Sequence, residues 1–196
     1  MSSSLRSSQR ALFPFAGVLL ASFALVGSGC GGTESGANSP SRALPAYSGH
    51  DAELFDDAIE PKAVGLDYDQ GLDPRIDTKF RERAQLSDAV LRAKVETVTV
   101  HGDGPEARYD LSLKTIEKLS GANPPHDEFT LHLEANNPSA GIVRTMQTTL
   151  GGKGFVTFVR EFARADGEAE WHFHLSPDTK EAASAARDAQ TAAEMK

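Results

Sequence analysis

The chain has little of several residue types that mark common protein classes. Its 196 residues include one cysteine and one tryptophan, and 20 Lys and Arg residues face 28 Asp and Glu residues. One cysteine excludes an internal disulfide framework. The net charge of −8 offers no basic face to nucleic acid. No GxSxG elbow and no HExxH motif occurs, so the sequence predicts no catalytic residues, no cofactor and no enzyme.

The N-terminal 29 residues have the pattern of an export signal. Arg6 and Arg10 give a positive start, and residues 11–29 carry no charge. A membrane-spanning helix needs roughly 20 mostly apolar residues, whereas Pro14, Gly17 and the small residues before Cys30 dilute this stretch. We therefore predict a signal peptide over residues 1–29, with an uncleaved anchor as the less favoured alternative.

The end of this signal, Val26-Gly27-Ser28-Gly29-Cys30, resembles that of bacterial lipoproteins. In that family a cysteine after small residues is linked to diacylglycerol and becomes the mature N-terminus, which implies lipidation of Cys30. Gly27 departs from the family pattern, which usually has Leu or Val three residues before the cysteine. Ordinary signal peptidase cleavage, giving a soluble exported protein, is the alternative. A lone cysteine in an oxidising compartment favours the lipid.

Processing would leave an acidic protein on a flexible tether. Loss of Arg6 and Arg10 leaves 18 basic against 28 acidic residues, a net charge of about −10. Anionic membranes would repel such a domain, so membrane attachment has to come from the N-terminal lipid. Residues 31–49 are mostly Gly, Ser, Pro, Asn and Thr, and we predict a tether of about 20–25 Å over residues 30–49.

Residues 50–77 are rich in carboxylates and begin the folded part. The apolar residues of 52–59, among them Leu54, Phe55 and Ile59, predict a short helix that ends before Pro61. The fragment from Asp67 to Asp73 suggests calcium. It lacks the glycine and glutamate that an EF-hand loop needs at its sixth and twelfth positions. A solvated acidic loop is therefore the preferred interpretation.

Alternating apolar residues then predict a run of strands. A helix over Thr78 to Leu86 precedes strands at Val90–Val100, Arg108–Leu119, Glu128–Leu133, Phe155–Val159 and Trp171–Leu175, with a short helix within residues 136–150. The apolar residues of the first strand change parity near Glu96, which predicts a bulge. We predict a mainly β domain over 50–177, a small five-stranded OB-like antiparallel barrel with short helical inserts. An open sheet or a β-sandwich is the alternative.

The last 19 residues predict a C-terminal helix or tail over 178–196. The string Asp178-Thr179-Lys180-Glu181 has capping-box spacing with Asp178 as the cap. The inner face is made of alanines, which bury little area, so we expect a frayed helix that adds little stability. The glycines Gly151, Gly152 and Gly154 lead into a strand, and they indicate a turn rather than a phosphate loop.

Three histidines are the sharpest chemical feature. His172 and His174 are two apart on the last strand and share a face, and His132 occupies the corresponding face of the third strand. If they met, they would suit zinc or copper. Polar residues on the solvent side of a strand are common, so we interpret them as surface residues and predict no metal site.

Function is predicted at the level of location and class. The sequence indicates an exported lipoprotein, anchored to the cell envelope on its periplasmic or cell-surface side. It would act as a binding or scaffolding module for an envelope protein, peptide or glycan, and not for nucleic acid. A histidine-based metal-binding module and an enzyme of unrecognised type are the alternatives.

Overall fold

The structure is a computed structural model that describes residues 43–66, 72–121 and 127–195. The predicted signal peptide, Cys30, residues 31–42 of the tether and residues 67–71 of the calcium-like loop lie outside this range. Within it, no helix is long and apolar enough to cross a membrane.

The described chain is mainly β, as predicted, with four α-helices. The strands are β1 (Ala58–Ile59), β2 (Ala89–His101), β3 (Arg108–Gly121), β4 (Glu128–Leu133), β5 (Gly154–Ala163) and β6 (Ala169–Pro177). The helices are α1 (His50–Leu54), α2 (Thr78–Leu86), α3 (Ala140–Leu150) and α4 (Lys180–Glu194), with 3-10 turns at Pro61–Val64 and Gly104–Glu106.

The strands form one six-stranded sheet in the order β1-β6-β5-β2-β3-β4. The pair β1–β6 is parallel and every other pair is antiparallel. The edge strands β1 and β4 do not pair with each other in the described residues, so the curled sheet is a half-barrel. The prediction of five strands is wrong, and an open sheet describes the topology better than an OB-like barrel.

The sixth strand comes from a segment that the sequence placed in a helix. Helix α1 ends at Leu54, and Asp57 has a φ of 52°, outside both the helical and the extended regions. This kink turns Ala58 and Ile59 alongside β6. Apolar spacing in the sequence could not predict this strand. The segment is held by hydrogen bonds of the Asp56 and Asp57 side chains to residues 115–118 positions further along the chain.

The predicted bulge in β2 is confirmed. The register between β2 and β3 shifts between Val95 and Thr97, so Val95 and Val98 both contact the same core despite their opposite parity. Two further shifts, beside Leu91 and Ala93, curl the sheet more.

Each face of the sheet carries a core, and the second face is left open over β4, where Glu128, Thr130 and His132 are exposed. One face holds a core with α3 and the first 3-10 turn, formed by Ile59, Val64, Val95, Tyr109, Leu111, Leu113, Leu131, Leu133, Val143, Phe155, Phe173, Leu175 and their neighbours. The other face holds a second core with α1, α2 and α4, formed by Leu54, Phe55, Phe80, Ala84, Val90, Val156, Phe158, Phe162 and four alanines of α4. The central strand β5 is therefore buried on both faces, as its continuous apolar run predicted.

Helix α2 has the predicted bounds, while α4 departs from its prediction in two respects. Thr179 is the N-cap of α4, and its hydroxyl accepts from the Ala182 N–H at 3.1 Å. Asp178, the predicted cap, instead accepts two bonds from the Arg92 guanidinium. The helix is also packed rather than frayed. Its alanines are small enough for α4 to lie close on the second core, and Ala186 has no exposed surface.

The folded domain begins earlier than predicted. Residues 43–49 were assigned to the tether, but the Pro45 carbonyl accepts from the Ala163 N–H at 2.8 Å, and Tyr47 contacts Phe162. Val159 of β5 pairs with Ala89, the first residue of β2, and β5 continues four residues further, which leaves the Ala163 amide available for this bond. The N-terminal segment therefore reaches the domain at the end of β5.

Candidate functional site

Two buried histidines and an adjoining acidic cleft form the candidate site. His172 and His174 lie on β6, on the face opposite Phe173 and Leu175, as strand alternation predicts. They were expected to face solvent, yet His172 is 9% exposed and His174 is 6% exposed. The expectation was wrong because this face is covered by the N-terminal segment and the second core.

His172 is held by one aromatic and one acidic residue of the N-terminal segment. Tyr47 stacks on the imidazole with ring centroids 3.4 Å apart and an interplanar angle of 4°. The His172 Nδ1 lies 2.7 Å from Oδ2 of Asp57. The other carboxylate oxygen of Asp57 accepts from the Phe173 N–H at 3.0 Å. The backbone N–H of Asp57 donates to the Phe173 carbonyl. These bonds offset the cost of the positive φ at Asp57.

His174 lies between two carboxylates of the same segment. Its Nδ1 is 2.7 Å from Oδ1 of Asp56, and its Nε2 is 3.1 Å from Oε1 of Glu60. Ionised carboxylates only accept hydrogen bonds, so both contacts are hydrogen bonds when both ring nitrogens carry protons. The geometry therefore places a carboxylate oxygen at each ring nitrogen of His174.

The electrostatics favour charged side chains here. Burial raises the pKa of the Asp56 and Glu60 carboxyls, but hydrogen bonds and the charge of His174 outweigh burial and hold each pKa below its usual value. The positive charge of the buried Arg83 guanidinium also lowers the pKa of both carboxyls. Burial lowers the pKa of Arg83 itself. Burial, followed by the charges of Asp57 and Asp56, raises the pKa of the Tyr47 hydroxyl to about 12. The phenol therefore stays neutral, and it donates to the Phe55 carbonyl at 2.8 Å.

The cluster contains Ser, His and Asp but lacks the geometry of a nucleophilic triad. The Ser176 hydroxyl donates to Oε1 of Glu60 at 2.6 Å rather than to an imidazole. The nitrogen of His174 that would deprotonate a serine is occupied by the same Glu60 oxygen. No nucleophile–base pair is formed, and the network instead attaches the N-terminal segment to β6.

The three histidines do not come together, as a shared metal site would require. His132 lies on β4, four strand spacings from β6, which is about 19 Å measured along the curled sheet at about 4.8 Å per spacing. Its Nδ1 is 2.7 Å from Oδ1 of Asp110, whose Oδ2 is 2.8 Å from Nε2 of His101. Across residues 43–66, 72–121 and 127–195, no group of three or more His, Cys, Asp or Glu residues could hold a metal ion.

An acidic cleft of about 310 Å³ lies beside the cluster. The cleft is bordered by the first 3-10 turn and by the starts of α2 and α4. Its charged lining consists of four carboxylates and one lysine: Glu60, Asp73, Asp77, Glu181 and Lys62. The rest of the wall is partly apolar and is formed by Leu72, Pro74, Phe80, Pro177, Thr179 and Ala182. Hydrogen bonds from Arg75 lower the pKa of Asp73 to about 2. Glu60 belongs to both the cleft and the histidine cluster.

Sequence reasoning missed Tyr47, Asp56, Asp57 and Glu60. The available signal was the density of carboxylates in residues 50–77 together with two histidines two apart on one strand. Pairing the two sets requires the parallel contact of β1 with β6, which spans more than 110 residues of sequence. No protein-family model matches the chain, and searches of curated proteins and of solved structures found no similar protein.

Proposed function

We propose that this chain is a lipid-anchored envelope protein whose domain binds a cationic peptide segment of an envelope partner in the acidic cleft. The cleft itself carries the proposal, since four carboxylates and one lysine line a concavity of about 310 Å³. An ammonium or guanidinium group would interact with the carboxylates while its alkyl stem packs on Phe80 and Pro177.

The cluster beside the cleft has a positioning role in this proposal. The bonds from His174 and Ser176 hold Glu60 at the rim of the cleft in its charged form. Asp77 is held in a similar way, since its carboxylate accepts from the Lys79 and Phe80 N–H groups. Acidic groups fixed before binding lose little side-chain entropy when a cationic ligand arrives.

The anchor places this site at the membrane surface. Residues 43–49 contact the domain, so the part of the predicted tether that precedes it is residues 31–42. A net charge of about −10 for residues 30–196 attracts cationic partners over a range set by ionic strength. Because an anionic membrane surface would repel this negative charge, lipidation of Cys30 supplies the attachment to the membrane.

Titration with a labelled hexalysine peptide tests the binding site. We expect Glu181→Gln combined with Asp77→Asn to weaken binding by about 3- to 10-fold, from roughly 0.3–0.7 kcal/mol for each exposed charge pair. Asn at position 77 still caps α2, so the fold is retained. The matched control is Glu106→Gln with Asp103→Asn, which removes the same charge from the exposed β2–β3 connection. Equal weakening by both pairs, or by neither, would refute a site in the cleft.

A further inference from the structure

The two edges of the sheet are protected very differently. The β1 edge is two residues long and is secured by the bonds to His172 and His174. The β4 edge runs for six residues, pairs with β3 without a register shift, and has no strand on its other side in the described part of the chain. Proteins usually blunt such an edge with charged residues, proline, a bulge or short length, and of these β4 has only the charge of Glu128 at its start.

The register shows which backbone groups of β4 are free. The Thr115 N–H donates to the Asp127 carbonyl at 2.7 Å, which makes these residues a hydrogen-bonded antiparallel pair. Because hydrogen-bonded and non-bonded pairs alternate along the ladder, the N–H and C=O groups of Glu128, Thr130 and His132 point away from β3. They present donors and acceptors at the spacing of a further strand.

The side chains beside these groups leave the approach open. All three residues are exposed, and the His132 ring is held towards β3 by Asp110. Thr130 lies opposite Ser112, so both side chains at the centre of the strand are short. On the other face, Leu131 and Leu133 are buried in the first core, and Phe129 is partly exposed beside them.

We propose that the β4 edge is a second binding surface, which pairs with an extended segment of a partner that alternates apolar with basic residues. The apolar residues of that segment would pack beside Phe129 and the first core, and the basic residues would lie beside Glu128 and Glu134. This inference concerns a surface separate from the acidic cleft, and its test separates the two.

Charge disfavours a second copy of this chain as the occupant. When two β4 strands pair antiparallel with full overlap, Leu131 lies opposite Leu131 and each Glu128 lies opposite Glu134 of the other copy. Like charges directly opposite are destabilising. The net charge of about −10 on each processed chain adds long-range repulsion between copies.

Binding of a labelled six-residue peptide that alternates valine with lysine tests the edge. Thr130→Pro removes an N–H that faces away from β3, so the sheet is retained while the edge loses a central donor. We expect this variant to bind at least tenfold more weakly than wild type, and Thr130→Ala, the matched control, to bind like wild type. Glu181→Gln with Asp77→Asn should leave this binding within threefold, because those residues line the cleft.

A change in the peptide makes the test independent of any protein variant. Methylation of the backbone nitrogens that face β4 keeps every charge and side chain, removes the donors to β4 and places methyl groups between the strands, so we expect it to abolish binding. Undiminished binding of the methylated peptide, or of the parent peptide to Thr130→Pro, would overturn the proposal. Sedimentation that shows dimers of the protein alone, lost in Thr130→Pro, would assign the edge to a second copy instead.

Discussion

The histidines of β4 and β6 show how one residue type can be exposed on one strand and buried in an ionic cluster on another strand of the same sheet. His132 is largely exposed and pairs with a surface carboxylate, whereas His174 is buried between Asp56 and Glu60. Removing one partner of a buried charge pair is costly because the remaining charge stays away from water. The free energy of unfolding should therefore respond to His174 far more than to His132.

We expect His174→Gln to lower the free energy of unfolding by about 1–3 kcal/mol at neutral pH. This is less than the roughly 3–5 kcal/mol of a fully buried pair, because Asp56 and Glu60 keep partial contact with solvent. Carboxyls with a lowered folded-state pKa stabilise the protein above their unfolded pKa of about 4, and this contribution is lost as pH falls through the lowered value. The variant lacks that pairing, so its acid unfolding should begin at a higher pH.

Circular dichroism against pH and urea measures both effects. His132→Gln is the matched control, since it makes the same chemical change at an exposed site, and we expect its acid midpoint to stay close to that of wild type. Coincident acid transitions for wild type and His174→Gln would show that the cluster does not stabilise the fold.

At the scale of elements, α4 demonstrates that small residues can make a helix integral to the fold. Its alanines lie on the second core, Gln190 donates to the Ala84 carbonyl of α2, and Arg187 pairs with Glu117 of β3. Alanines bury little area individually, yet they permit the close approach that brings these polar contacts within reach. Composition therefore predicted the helix but underestimated its packing.

Ala186→Leu should destabilise the domain by about 1–3 kcal/mol, because three further carbon atoms have no space at a position with no exposed surface. Ser184→Leu lies on the exposed side of the same helix and should change the free energy of unfolding by less than about 0.5 kcal/mol. Urea unfolding of both variants provides the measurement. Equal effects at the two positions would indicate that α4 is not packed as described.

At the scale of the whole molecule, the N-terminal segment connects location with structure. Residues 43–60 hold Tyr47, Asp56, Asp57 and Glu60, which attach to the second core and β6. The chain that leads to the proposed lipid therefore enters the domain through this attachment.

Metabolic labelling with palmitate tests the anchor. We expect label on the wild-type chain, none on Cys30→Ala, and release of that variant from membranes into the soluble exported fraction. Since Cys30 is the only cysteine, no second thiol can substitute for it. A Cys30→Ala variant that stays labelled and membrane-bound would refute lipidation at this position.

Local patterns in the sequence determined the elements whose cause is local. Apolar alternation predicted β3, β4 and β6, the parity change near Glu96 predicted the bulge, and helical spacing predicted α2. Only the tertiary structure decided that Ala58 and Ile59 form a sixth strand, that each face of the sheet carries a core, and that His132 is remote from His172 and His174. The physical reason is distance along the sequence. Alternation is a local pattern that specifies the face of a strand on which a side chain lies, whereas burial and ionic partners depend on segments more than a hundred residues apart.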